Sequence, residues 1–119
     1  MFQDETLVLD DTGADMIQDF IRLKSIERRV KWSRHALNEI AAESFTVSHI
    51  EYALRRAEVI EEYPPLHRYL PDCLTLVFIT TGQAVHCVIG VNKPQDYILI
   101  VTVYRPTEEE WENDWRTRK

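Results

Sequence analysis

His86, Thr102 and Tyr104 lie in two stretches, "AVHCVIG" (84–90) and "YILIVTVY" (97–104), that otherwise read as apolar strand. A strand alternates its side chains between two faces. Val85, Cys87, Ile89 and Val91 form one face of the first stretch, and Leu99, Val101 and Val103 form one face of the second. Both sets are wholly apolar and are expected to face helices. The opposite faces carry His86, Thr102 and Tyr104. A hairpin loop over Asn92–Asp96 pairs Val91 with Tyr97. It puts His86 opposite Thr102, with Tyr104 as its diagonal neighbour on an open face.

A histidine, a tyrosine and a nearby arginine are what metal-free RNA cleavage needs. A base takes the proton of the 2′-hydroxyl, which only RNA carries. An acid protonates the leaving oxygen, and a cation stabilises the charge of the phosphorane. His86, with an ordinary pKa of about 6.5, can serve as base or acid. Tyr104 can position the phosphate or supply a proton, and Arg68 or Arg105 can hold charge. His35, at a helix start where backbone N–H groups favour an anion, is a second candidate. Each also has a plainer reading. On position alone His86 reads first as a half-buried sheet histidine bonded to Thr102, and Tyr104 and Trp111 first as cover for the sheet face. His35 is as readily a residue beside its helix cap, and Arg105 as readily a solvated strand end. The "HRY" loop, His67 to Tyr69 between prolines, is either a rigid connector or part of the site. His49 is expected to face solvent.

Other kinds of site find no support in the sequence. There is no HExxH, no paired Cys/His spacing for zinc and no glycine-rich phosphate loop. No metal or cofactor is therefore expected. GxSxG is missing too, and Cys87 on the apolar face reads as core rather than nucleophile. Cys73 and Cys87 form no disulfide framework and read as free thiols of a cytoplasmic protein.

The elements that must position these residues follow from local signals. Residues 1–12 look irregular. Gly13-Ala14-Asp15 opens a helix to about Arg28, with Met16, Ile17, Phe20 and Ile21 on one stripe. "RRVKWS" (28–33) suits a short strand. Ser33 is an N-cap for a helix over Arg34–Glu43 that turns Leu37, Ile40 and Ala41 inward. "SHIE" (48–51) reads as a capping box for a helix to about Ala57 that buries Ile50, Ala53 and Leu54. Strands follow at Glu58–Tyr63, Cys73–Thr80, Ala84–Val91 and Tyr97–Tyr104. After Pro106, Thr107 is expected to cap a short acidic helix with Trp111 and Trp115. Helices first and an antiparallel sheet after predict an α+β fold. It has two layers, with helices packed on one face of a mainly antiparallel sheet.

The chain's 119 residues suit one domain, and 45% apolar residues suffice for a core. No apolar run is long enough to span a bilayer, and the acidic start carries no signal core. The formal charge of −6 resides wholly in residues 1–19, with Asp4, Glu5, Asp10, Asp11, Asp15 and Asp19 and no Lys or Arg. Residues 1–27 therefore read as an acidic N-terminal extension with a helix, and 28–119 as the domain proper. The extension is either a solvated arm or a cover for a basic site.

"KWSRHALNEI", then "FTVSHIEYALRRAEVIEEY", then strands ending in "ILIVTVYRP" resemble the bacterial domain of unknown function 4258 family over about residues 28–111. That family is similar to the RelE, BrnT and MqsR toxins, small metal-independent ribonucleases of toxin–antitoxin pairs. The resemblance implies a RelE-like fold and an mRNA endoribonuclease neutralised by a cognate antitoxin, often a small zinc-finger protein. It makes His35, His86, Thr102 and Tyr104 the catalytic candidates. Arg68, Arg105 and Tyr69 become substrate-binding candidates, with Arg68 the weaker carry-over. The rival expectation is a non-catalytic protein-binding module, or a regulatory subunit, of the same fold. That module would use the open face and the Trp111/Trp115 helix. The helix at 14–28 is a possible homodimer contact.

Overall fold

The computed structural model describes residues 13–64 and 71–119. The elements are α1 (Gly13–Ile26), β1 (Val30–Trp32), α2 (Arg34–Ile40) and α3 (Val47–Ala53), then a 3₁₀ turn (Leu54–Arg56). β2 (Glu58–Glu62), β3 (Cys73–Phe78), β4 (Ala84–Asn92) and β5 (Tyr97–Tyr104) follow. The five strands form one sheet in the order β1-β5-β4-β3-β2. Only β1 runs parallel to its neighbour; the other pairs are antiparallel. This is an α+β fold with helices on one face of a mainly antiparallel sheet.

The core lies between that face and the helices. Ile21 of α1, Ala36 and Ile40 of α2, and Ile50 of α3 pack on Val77, Val85, Cys87, Ile89, Ile98, Ile100 and Val103. α1 is thus built into the domain. The Arg22 Nε–H donates to the Ala57 carbonyl (2.7 Å), and the Val59 N–H donates to Gln18 (2.9 Å). Lys24 Nζ meets Asp96 in the β4–β5 turn at 2.5 Å, and Asp96 and Glu27 hold that ammonium above its ordinary pKa.

α1 ends in a Schellman turn. The Arg28 N–H donates to the Ser25 carbonyl and the Arg29 N–H to the Lys24 carbonyl, with Arg28 at φ 63°. Glycine normally holds that position, because a side chain in the left-handed region costs about 1–2 kcal/mol.

Four local expectations need correction. The hairpin turn between β4 and β5 is one residue shorter than the alternation suggested, because Asn92 pairs with Tyr97. A bulge then inserts Val101, so His86 lies opposite Tyr104, and Val88 opposite Thr102. The helix-facing set of β5 is accordingly Ile98, Ile100 and Val103, while Leu99 and Val101 are half-buried. α2 stops at Ile40 and buries Ala36 and Ile40, leaving Leu37 and Ala41 exposed. The cap of α3 is Thr46 with His49, not Ser48 with Glu51. The Thr46 hydroxyl accepts the His49 N–H, and His49 Nδ1 accepts the Thr46 N–H. Glu51 instead accepts the Trp32 indole N–H at 2.8 Å. Residues after Pro106 form no helix. They make a turn at Thr107 and a bridge between Trp111 and Arg118, a strap laid over the other face of the sheet.

Candidate functional site

The strap decides the state of the face that carries His86. Leu74 and Leu76 of β3, Ala84 and His86 of β4, and Trp111 of the strap are all buried, and His86 is 0% exposed. The Trp111 ring meets the imidazole edge-on with centroids 4.5 Å apart, and the Arg118 guanidinium lies 4.6 Å from the Trp111 ring. Bidentate pairs of Arg116 with Glu58 and Arg118 with Glu61 fasten the strap to β2.

Both imidazole nitrogens are engaged. Nε2 lies 2.8 Å from the Trp115 carbonyl, and Nδ1 lies 3.1 Å from the Tyr104 hydroxyl. A carbonyl only accepts, so Nε2 carries the proton and donates it. Nδ1 then accepts from the Tyr104 O–H. Trp115 sits at φ 62°, a strained turn that aims its carbonyl inward. Burial lowers the His86 pKa, against a smaller opposing effect of the Trp115 carbonyl. Burial is also the main cause that pushes the Tyr104 phenol up to about 12. His86 is a neutral, satisfied imidazole with no exposed surface, while its partner Tyr104 is half-buried and lines a surface hollow with Glu43 and Arg105. His86 is bonded to Tyr104, where the sequence suggested Thr102, and the face that was expected to be open is closed.

The other sequence candidates are dispersed. His35 is largely exposed at the start of α2, 3.2 Å from Glu39. α2 packs on the helix side of the sheet, so His35 and His86 lie on opposite sides. Beyond Ile100, β5 has lost its β1 neighbour, and α2 and its cap continue the pairing. The Ser33 hydroxyl donates to the Val101 carbonyl, and the Val103 N–H donates to Glu39. Glu39 thus ties His35 to the sheet. Thr102 is half-buried, and Arg105 pairs with Glu43 at 3.0 Å. Arg68 and Tyr69 lie outside the described residues. Trp111 is 1% exposed and cannot present a docking surface. Among the described residues, no three His, Cys, Asp or Glu side chains converge to hold a metal ion. No described helix is long and apolar enough to cross a membrane. Cys73 and Cys87 are buried free thiols, pushed up to about 12 chiefly by burial.

A different surface is open. A groove of about 490 Å³ lies where the end of α1, α3, the 3₁₀ turn and the end of β3 meet, with Ile26, Tyr52, Arg55, Arg56 and Phe78 on its walls. It shares Ile26, Tyr52 and Arg55 with a second hollow of about 320 Å³ that adds Arg28 and Glu51. Ile26 is 55%, Tyr52 61% and Phe78 48% exposed, which is unusual for side chains of this size gathered together. The Arg55 guanidinium lies 5.2 Å from the Tyr52 ring. None of the ion pairs among the described residues uses Arg28, Arg55 or Arg56. The one acid on these walls, Glu51, is occupied by Trp32. The sequence held a signal for this surface: an arginine, where a helix end wants glycine, and the "RR" pair after α3.

Residues 32–105 match the family described as "Domain of unknown function (DUF4258)". The match spans more than half of the chain, which therefore belongs to that family. Neither the curated proteins nor the solved structures give a significant match. The family match ends before the strap begins, so the segment that seals His86 lies outside the matched core.

Proposed function

We propose that this chain is a non-catalytic protein-binding module whose docking surface is the Arg28–Tyr52–Phe78 groove. The observation that carries this reading is the sealed His86. A general base must reach the proton it abstracts, and both His86 nitrogens are already bonded beneath Trp111. The groove instead offers exposed apolar walls with arginines at its rim, which suits a partner segment that alternates acidic and apolar side chains. The test is induced expression in a bacterial host, with a tagged chain recovered from the cells. The module predicts normal growth, intact RNA and a co-purifying protein that is lost on Arg55→Glu/Arg56→Glu. Growth arrest with cleaved RNA, abolished by His86→Gln/Tyr104→Phe, refutes it.

A second reading is favoured by the strap itself. It lies beyond the family-matched residues and is fastened to β2 by partly exposed ion pairs. In this reading the chain is a RelE-like endoribonuclease toxin of a toxin–antitoxin pair. Its His86 and Tyr104 act on RNA only when the strap lifts, and a cognate antitoxin holds it shut. Trp111→Ala would then turn a harmless chain into one that arrests growth. Continued normal growth with soluble Trp111→Ala protein excludes this reading.

A further inference from the structure

We infer that the free edge of β1 receives the partner as an added β-strand, one that alternates acidic and apolar side chains; this rests on the protein-binding reading proposed above and adds how the partner is held.

The two edges of the sheet differ. β1 and β2 end the strand order. At β2 the outward groups are occupied. The Val59 N–H donates to Gln18, a bulge follows Val59, and Arg116 and Arg118 of the strap hold Glu58 and Glu61. Such devices keep an edge from pairing with another chain. Among the described residues β1 has no such cover. The Ile98 N–H donates to the Arg29 carbonyl and the Ser33 N–H to the Ile100 carbonyl, so Arg29, Lys31 and Ser33 turn their backbone groups to β5. The N–H and C=O of Val30 and Trp32 therefore point away from the sheet, and among the described residues no hydrogen bond takes them. These donors and acceptors are spaced for a strand.

The walls beside this edge fix the partner's chemistry. Lys31 is exposed, and its ammonium lies 4.3 Å from the centre of the Tyr97 ring, in a hollow of about 280 Å³ shared with Arg28 and Val30. Arg28 also lines the hollow of Ile26, Tyr52 and Arg55, so the two hollows meet at the start of β1. None of the ion pairs among the described residues uses Arg28, Lys31 or Arg55. Val30 and Trp32 are half-buried against the core on the helix side, and Lys31 lies on the other side. A strand laid along β1 alternates its side chains in the same way. It must bring acids to the side of Lys31 and apolar groups to the side of Val30 and Trp32. That is the alternation that suits the groove, at the period of a strand. A second copy of this chain would set Arg28 and Lys31 against themselves, and like charges opposed across strands are destabilising.

The probe is a short synthetic peptide alternating glutamate and valine, added to the isotope-labelled full chain. It is expected to shift the signals of Val30, Lys31 and Trp32 and to slow hydrogen exchange at the Val30 and Trp32 amides. High salt and Lys31→Glu should both weaken it. Val30→Pro removes one outward donor and no bond to β5, and should weaken the peptide by about 2- to 12-fold, the value of one backbone hydrogen bond. If that variant does not fold, peptides N-methylated at one or the other alternate set of amides leave the protein untouched: one set should abolish binding and the other spare it. A lysine–valine peptide that binds as tightly, or exchange at Val30 and Trp32 unchanged by the glutamate–valine peptide, overturns the inference. Protection of those amides in the free chain that grows with protein concentration would put a second copy on the edge and overturn it too. Capture from cells separates this inference from the reading beneath it. A partner lost on Arg55→Glu/Arg56→Glu and retained by Val30→Pro and by Lys31→Glu leaves the module standing and removes the added strand. Growth arrest with cleaved RNA removes the module itself.

Discussion

If His86 is a sealed, neutral latch, mild acid must weaken the fold in a defined window. Burial lowers its pKa in the folded protein, so between the ordinary value of about 6.5 and the folded value the unfolded chain binds a proton that the native one refuses. Stability then rises with pH across that window. It is fully present above about pH 6.5 and declines as the pH falls towards the folded pKa. The slope approaches about 1.4 kcal/mol per pH unit, and each unit of depression contributes about that much in total. The carboxylates of Asp96 and Asp114 are also lowered, from 3.8, by hydrogen bonds that favour their charged form, so the stability they contribute is lost only in a more acidic range. Urea unfolding at pH 7.5, 6.5 and 5.5 reads the effect. The control is His86→Gln, which keeps a donor and an acceptor without a titrating ring. It should be less stable at pH 7.5 and its stability should change less with pH. Equal slopes for the two proteins would mean that His86 takes up its proton freely, and the sealed-latch account would be wrong.

Two further outcomes bear on the elements around this group. Trp111→Ala should cost about 3–5 kcal/mol in denaturant unfolding, because it empties a buried site that packs on His86. In the same variant the His86 titration followed by NMR should move up towards the ordinary histidine value, since burial is the main cause of its depression. Glu39→Ala should cost about 1–3 kcal/mol, because the Val103 N–H loses its acceptor; a change within a few tenths would mean that water replaces the carboxylate.

The alternation of apolar residues made β4 and β5 legible, and β5 runs over the expected Tyr97–Tyr104. Ser33 was legible as a cap because a serine just before a helix can accept an N–H of the first turn; its hydroxyl accepts the Ala36 N–H at 2.9 Å while donating to the Val101 carbonyl. The register was not legible. A strict two-residue period cannot announce a bulge, and the short turn with Val101 inserted reaches nearly the same faces by a different pairing. Trp111 and Trp115 share a helical spacing, and that local hint lost to a tertiary demand: Leu74, Leu76 and His86 needed a cover. The pairing of His86 with Tyr104 was visible as a neighbourhood, but its burial depended on the strap. The groove was missed because its walls come from α1, α3 and β3, and a face assembled from three distant segments leaves no period in any one of them.

The strap also bears on time. Its fastenings join residues 58 and 57 apart, Arg116 to Glu58 and Arg118 to Glu61. Contacts so distant in the chain must overcome loop-closure entropy before they contribute, and as fastenings of a terminal segment they are expected to form late, which low φ-values for Glu58→Ala and Glu61→Ala would show. Interactions absent from the folding transition state govern how fast a protein comes apart and leave the rate of its assembly nearly untouched. On that expectation the strap acts on lifetime: Glu58→Ala and Glu61→Ala should speed unfolding and leave the folding rate nearly unchanged.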